Sequence, residues 1–182
     1  MAAEVQHLFT PLHLAVINDD KESVYTLVEI ASSRWSPHLF AEYFRMRYGY
    51  EPDVSQMTEL SRDTKSPMYK NDSTTRYRKE LILEHHDRHG RSPLLLASIL
   101  GSENALAALL DEGANVLAVE RNSKRNALHF AASQGNTSCV SLLLQKGADS
   151  LLEDADGVTP LVAVCRSGSL DCLQQLLLHN GQ

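Results

Sequence analysis

The sequence predicts an all-α solenoid of stacked helix-turn-helix units joined by projecting β-turn fingers. Three observations predict it. The segments Ser92-Pro93-Leu94-Leu95-Leu96-Ala97, Asn126-Ala127-Leu128-His129-Phe130-Ala131 and Thr159-Pro160-Leu161-Val162-Ala163-Val164 recur at offsets of 34 and 33 residues. A glycine stands nine positions after each start, at Gly101, Gly135 and Gly168. Leucine-rich runs follow in phase at Leu109-Leu110, Leu142-Leu143-Leu144 and Leu176-Leu177-Leu178. A fixed period of this length marks a repeat architecture, whose units bury their apolar faces only against one another.

Each element of the unit follows from its residues. Ser92, Asn126 and Thr159 can accept a bond from a free backbone N–H at a helix start, and Pro93 and Pro160 suit the first helical position, where the missing donor costs nothing. Thr10-Pro11 opens an earlier helix in the same way. The glycine two turns later lets the chain leave the helix with positive φ. A second helix then carries leucines toward the neighbouring repeat and ends at Gly113 or Gly147. Asp87-Arg88-His89-Gly90 and Asp154-Ala155-Asp156-Gly157 read as the tight turns of the fingers.

Between Thr10 and Ser92 the offset is 82 residues, one period plus 49. The expected organisation is therefore a first repeat over residues 1–31, an insert over 32–80, and three consecutive repeats over 81–182 starting near Asp87, Arg121 and Asp154. In the insert, Phe40, Tyr43, Phe44 and Arg47 fall on one side of an amphipathic helix at 37–48, and the polar stretch 51–79 reads as a flexible loop. The array begins and ends abruptly, leaving Leu170, Leu173, Leu176 and Leu177 partly uncovered. That predicts a fragment of a longer array, with further repeats meeting its C-terminal end.

Composition narrows the function. With 43% hydrophobic and 22% charged residues the chain lies in the ordinary soluble range, and a formal charge of -6 argues against nucleic-acid binding. The N-terminus has no secretory pattern, and no apolar run approaches the roughly 20 residues needed to cross a bilayer. The expectation is a cytoplasmic location without membrane insertion by this segment. Three cysteines, Cys139, Cys165 and Cys172, fit free thiols in a reducing compartment. Cys139 and Cys172 lie one repeat apart, about 10 Å from each other by helix packing, too far for a disulfide. All three read as small core residues.

These residues resemble the ankyrin-repeat family over about residues 81–182 and 9–31. The chain departs from the family pattern where Leu95 and Val162 replace the motif histidine, Lys124 the turn glycine and Arg121 the turn aspartate, so the finger before Asn126 is expected to be the least regular. In the matching positions His13 and His129 are expected to bond within the helix-start turn. The resemblance implies a non-enzymatic module that binds another protein through its concave surface of fingers and first helices. Carried over by position, that surface comprises Arg88, His89, Arg91, Ile99 and Leu100 in one unit. Asn122, Ser123, Arg125, Ser133 and Gln134 follow in the next, and Ala155, Asp156, Val158, Arg166 and Ser167 in the last. Ile99 and Leu100 read as an apolar anchor flanked by Arg88, Arg91 and Arg125, suited to an acidic and apolar partner segment.

An alternative is the cytosolic domain of a transient receptor potential ankyrin-type cation channel, to whose array Gly90–Ala97 and Arg125–His129 are similar. A more distant one is a metal site at His85, His86 and His89, set against their reading as finger residues. No G-x-x-x-x-G-K, H-E-x-x-H or paired C-x-x-C motif occurs, and neither catalytic residues nor a cofactor are assigned.

Overall fold

The computed structural model describes residues 11–33, 37–49, 79–87 and 89–181. Among them the expected repeats appear as helix pairs: α1 (Pro11–Ile17) with α2 (Lys21–Ser33), α4 (Pro93–Leu100) with α5 (Glu103–Asp111), α6 (Ala127–Gln134) with α7 (Thr137–Gln145), and α8 (Pro160–Ser167) with α9 (Leu170–Asn180). A further helix, α3 (Pro37–Tyr48), follows the first pair. Extended pairing among the described residues is confined to an isolated antiparallel bridge between Val119 and Asn126. The all-α solenoid is borne out.

The capping residues act as their spacing predicts. Ser92 accepts from the Leu95 N–H and Thr159 from the Val162 N–H. Asn126 and His129 cap each other reciprocally, side chain to backbone in both directions. Gly101 leaves α4 at φ 72, a conformation that favours glycine, and a Cβ there would meet the Asn136 side chain at 2.8 Å and oblige that amide to shift. In the first repeat Asp19 takes that left-handed position, at φ 49. Its carboxylate accepts from the Ala105 N–H and from the Asn104 amide, each at 2.9 Å. It thereby caps α5, whose own Ser102 makes no side-chain cap.

The first helices α1, α4, α6 and α8 stack in one layer and the second helices α2, α5, α7 and α9 in the other. α1 packs directly on α4, and α2 on α5, so these two repeats are neighbours in the stack although they are separated by more than one period in sequence. Leu12, Leu27, Leu94, Leu106, Leu109, Leu128 and Leu143 are fully buried between the layers. Cys139 and Cys172 are buried at equivalent places, as expected, and burial pushes the Cys139 thiol up to about 11. Two expectations need correction. Cys165 is exposed, because it lies on the outer side of the last first helix, with no later repeat over it among the described residues. Leu176 is fully buried against the preceding repeat, whereas Leu170, Leu177 and Leu178 are open, Leu170 at 78%.

Helix α3 buries Phe40 and Phe44 completely, with Tyr43 and Tyr48 half-buried beside them. Arg47 belongs to the surface instead: its guanidinium reaches Asp20 at 3.1 Å. Asp20 also accepts from the Ser23 N–H, the Ser23 hydroxyl and, at 2.7 Å, the Tyr48 hydroxyl, so one carboxylate starts α2 and holds the end of α3. Burial opposes ionisation of this carboxyl, but donation from Ser23, Tyr48 and Arg47 outweighs it and holds Asp20 well below the usual carboxylate range. The loop expected at 51–79 lies outside the described residues except for its last position, which opens a helical turn at 79–83 with Ile82 and Leu83 buried.

Candidate functional site: the finger row and first-helix ends

Each finger is built on one carboxylate turned inward onto its own backbone. Asp87 accepts from the His89 and Arg91 N–H groups at 2.8 and 2.9 Å, and Asp154 from those of Asp156 and Val158, both at 2.9 Å. In the middle finger this work is done by Glu120, which accepts from the Asn122 N–H, the Ser123 N–H and the Ser123 hydroxyl. Arg121 is therefore not the substitute for the turn aspartate. The middle finger is one residue longer from carboxylate to helix cap, and the longer glutamate spans the wider turn. Lys124 does take the left-handed place of the turn glycine, at φ 58. All three carboxyls are opposed by burial, yet their backbone and side-chain donors hold them below their ordinary range.

The fingers are then tied to the helices behind them and to one another. His13 Nε2 lies 2.9 Å from the Arg91 carbonyl, and His129 Nε2 the same distance from the Val158 carbonyl. The motif imidazole thus bonds the finger of the next repeat, and in His129 its Nδ1 also accepts from the Asn126 N–H at its own helix start. Burial drives the His13 imidazole down to about 4 and lowers His129 in the same direction, so both hold these bonds in the neutral form. Where Leu95 stands in place of histidine, the imidazole bond to the middle finger is replaced by apolar packing, with Leu95 itself fully buried.

The two finger arginines differ in direction. Arg91 turns back on its own finger, 2.8 Å from Asp87 through Nε, while Arg125 reaches forward to Asp154 of the next finger at 2.8 Å. Beside that forward bond the Ala155 N–H donates to the Ser123 carbonyl at 2.8 Å. The middle and last fingers are clasped. Between the first and middle fingers a cleft of about 480 Å³ opens instead, lined by His86, Asp87, His89, Gly90, Arg121 and Asn122.

The expected site residues divide accordingly. His89, Leu100, Asn122, Gln134, Ala155, Asp156, Arg166 and Ser167 are exposed, and Ile99, Ser123 and Ser133 are half-buried. Val158 is buried, its carbonyl accepting from His129 and its N–H donating to Asp154. Arg91 and Arg125 are committed to ion pairs inside the finger row, so they do not form the free cationic rim around Ile99 and Leu100. Arg88 lies outside the described residues. His85 is half-buried while His86 and His89 are exposed, and among the described residues no group of three His, Cys, Asp or Glu side chains is placed to hold a metal. Sequence reasoning missed Ile17 as a surface feature, and it left Arg121 and His86, read as finger residues, out of the candidate binding surface. Ile17 could have been found from the 82-residue offset, which aligns it with Ile99; it is 39% exposed.

Comparison with known proteins decides the family. The family profile for ankyrin repeats (three copies) matches residues 117–182, and the single ankyrin-repeat profile matches 89–121. The chain belongs to the ankyrin-repeat family. Ankyrin repeats are a protein-protein interaction module. This ankyrin chain is 38% identical to inversin of Gallus gallus over 98 residues, covering 54% of the chain and 9% of that protein. It is 30% identical to the B-cell lymphoma 3 protein homolog of Mus musculus over 177 residues, 93% of the chain and 36% of that protein. A solved human ASB11 ankyrin repeat domain aligns at 37% identity and a TM-score of 0.48, over 49% of this chain and 40% of that one. The chain thus spans much less than two thirds of these relatives. Among the described residues no helix is long and apolar enough to cross a membrane.

Proposed function

We propose that the chain is a non-enzymatic protein-binding module whose partner lies along the finger row and across the ends of the first helices, in the reducing setting that its three unpaired thiols suit. One observation carries this reading. Leu100, Gln134 and Ser167 occupy the same phase on three successive first helices and are all exposed, as a continuous strip. Its apolar end is Leu100, 50% exposed, beside half-buried Ile99 and exposed Ile17. An exposed aliphatic group set among polar neighbours is the composition of an interface anchor.

The test is Leu100→Asp in the full chain, with affinity measured for a captured and purified partner. A loss of about 2 kcal/mol or more, with unchanged circular dichroism, is the result expected of an anchor position. Gln174→Glu on the exposed side of α9 serves as the control and leaves binding intact. Equal loss by both variants, or none by either, would place the interface elsewhere. Nothing among the described residues favours the cation-channel alternative over a binding module.

A further inference from the structure

The geometry points to the cleft between the first two fingers as the place where an acidic partner segment docks, through carboxylate side chains received by Arg121, His86, His89 and the Asn122 amide. This rests on the protein-binding reading above and names the chemistry of the partner at one end of the strip.

Three observations converge on it. The first is the cleft itself, with a volume of about 480 Å³, enough for one or two carboxylate side chains. The second is its cause. Arg91, which could have reached forward as Arg125 does, turns back on Asp87, so the clasp that closes the next pair of fingers is not built here.

The third is polarity. The carboxylates that organise the two fingers, Asp87 in the cleft wall and Glu120 behind it in sequence, are buried and engaged by bonds from their own fingers. What faces outward is a set of donors: exposed His86, His89, Arg121 and Asn122. A guanidinium fork is the group best matched to a carboxylate, and two imidazoles and an amide beside it extend the donor set.

This local excess of donors sits on a chain of net charge -6, so it is not an average property of the surface. The last finger differs again, since Asp156 is exposed at its tip and Glu153 lies exposed just before its turn. The row is therefore polarised, and a partner segment places its acidic stretch at the first two fingers and not at the third. Leu100 lies at the far end of α4, whose 8 residues span about 12 Å, so acidic and apolar positions of one short segment can occupy both places.

The experiment is selection of random short peptides on the full chain, followed by affinity measurement of the enriched peptides on Arg121→Glu, on the double variant His86→Ala with His89→Ala, and on Leu100→Asp. The expected result is enrichment of peptides with clustered Asp or Glu, weakened at least about tenfold by Arg121→Glu and less by the histidine pair, with thermal midpoints unchanged. Enriched peptides without acidic clusters, or acidic peptides that bind Arg121→Glu as tightly as the parent chain, would overturn the cleft assignment. If Leu100→Asp releases such peptides while Arg121→Glu does not, the binding strip stands and the acidic cleft falls. If neither variant weakens any enriched peptide, both fall.

Discussion

Arg125 reaches 2.8 Å out of the middle finger to the buried carboxylate of Asp154 in the last one, so two successive repeats share an ion pair inside the finger row. The guanidinium keeps about a third of its surface in solvent, whereas Asp154 is almost wholly enclosed. Removing the arginine therefore leaves the carboxylate with its backbone donors alone. Arg125→Ala is expected to cost about 1 to 2 kcal/mol in urea unfolding. It should also speed hydrogen exchange at the Ala155 N–H, whose bond to the Ser123 carbonyl lies beside the pair. Arg91→Ala, acting within one finger, should leave the Ala155 amide protected.

Acid should loosen the array before its carboxylates titrate. The His13 imidazole is driven by burial from 6.5 to about 4 in the folded chain. As pH falls through that window the unfolded chain takes up a proton that the folded chain refuses, so stability decreases, by about 3 kcal/mol across the whole window. His129, also lowered by burial, adds to the same trend. Leucine in place of His13 copies the arrangement at Leu95 and should flatten much of the slope. The Arg91 carbonyl keeps a donor in that variant, the Asp87 N–H at 2.9 Å. Denaturation midpoints measured across this pH range check the prediction.

A further acid step follows at lower pH. Asp20, Asp87, Glu120 and Asp154 all have their carboxyls lowered by donors in the folded state. Their contribution is present above the ordinary carboxylate range and is lost as pH falls below it. Unfolding curves should therefore steepen again below about pH 4.

Leu143 is fully buried between the layers, so Leu143→Ala should cost about 2 to 5 kcal/mol through lost transfer energy and the cavity left behind. In a linear array the loss should be concentrated in the repeats that touch α7. Exchange protection that fell equally in α1 and α7 would contradict that locality.

The anchor of α3 can be dissected in the same way. Tyr48→Phe removes one donor to Asp20 and should cost about 1 kcal/mol. Asp20→Ala removes the α2 cap together with the Tyr48 and Arg47 contacts and should cost more, about 2 kcal/mol. Equal losses would mean that the Tyr48 link to α3, and not the cap of α2, carries the interaction.

The repeats were legible because their determinants are local and periodic: a capping residue, a proline, a glycine at positive φ and a leucine pair each act within one turn of chain. The insert helix was legible from Phe40, Tyr43 and Phe44 for the same reason. What stayed hidden depends on contacts between repeats. Counting back from Asn126 placed Arg121 at the turn carboxylate, since a one-residue lengthening cannot be distinguished from a substitution without seeing where Glu120 bonds. Arg91 and Arg125 have the same residue type and almost the same place in the repeat, and only the folded chain reveals that one turns back and the other reaches forward. The burial of Val158 and the exposure of Cys165 are likewise set by the neighbouring unit.

Asp19 carries this dependence into the question of where one repeat stops and the next starts. The N-terminus of α5 borrows its cap from a loop that lies far earlier in the sequence, so a segment cut out at the apparent motif boundary before Ser92 would leave that helix start bare. As a portable part, the second unit is not the stretch between two motif starts but that stretch together with the preceding turn. Grafts or deletions that respect the sequence period while separating Asp19 from Ala105 should join poorly, and those that carry the turn along should join well.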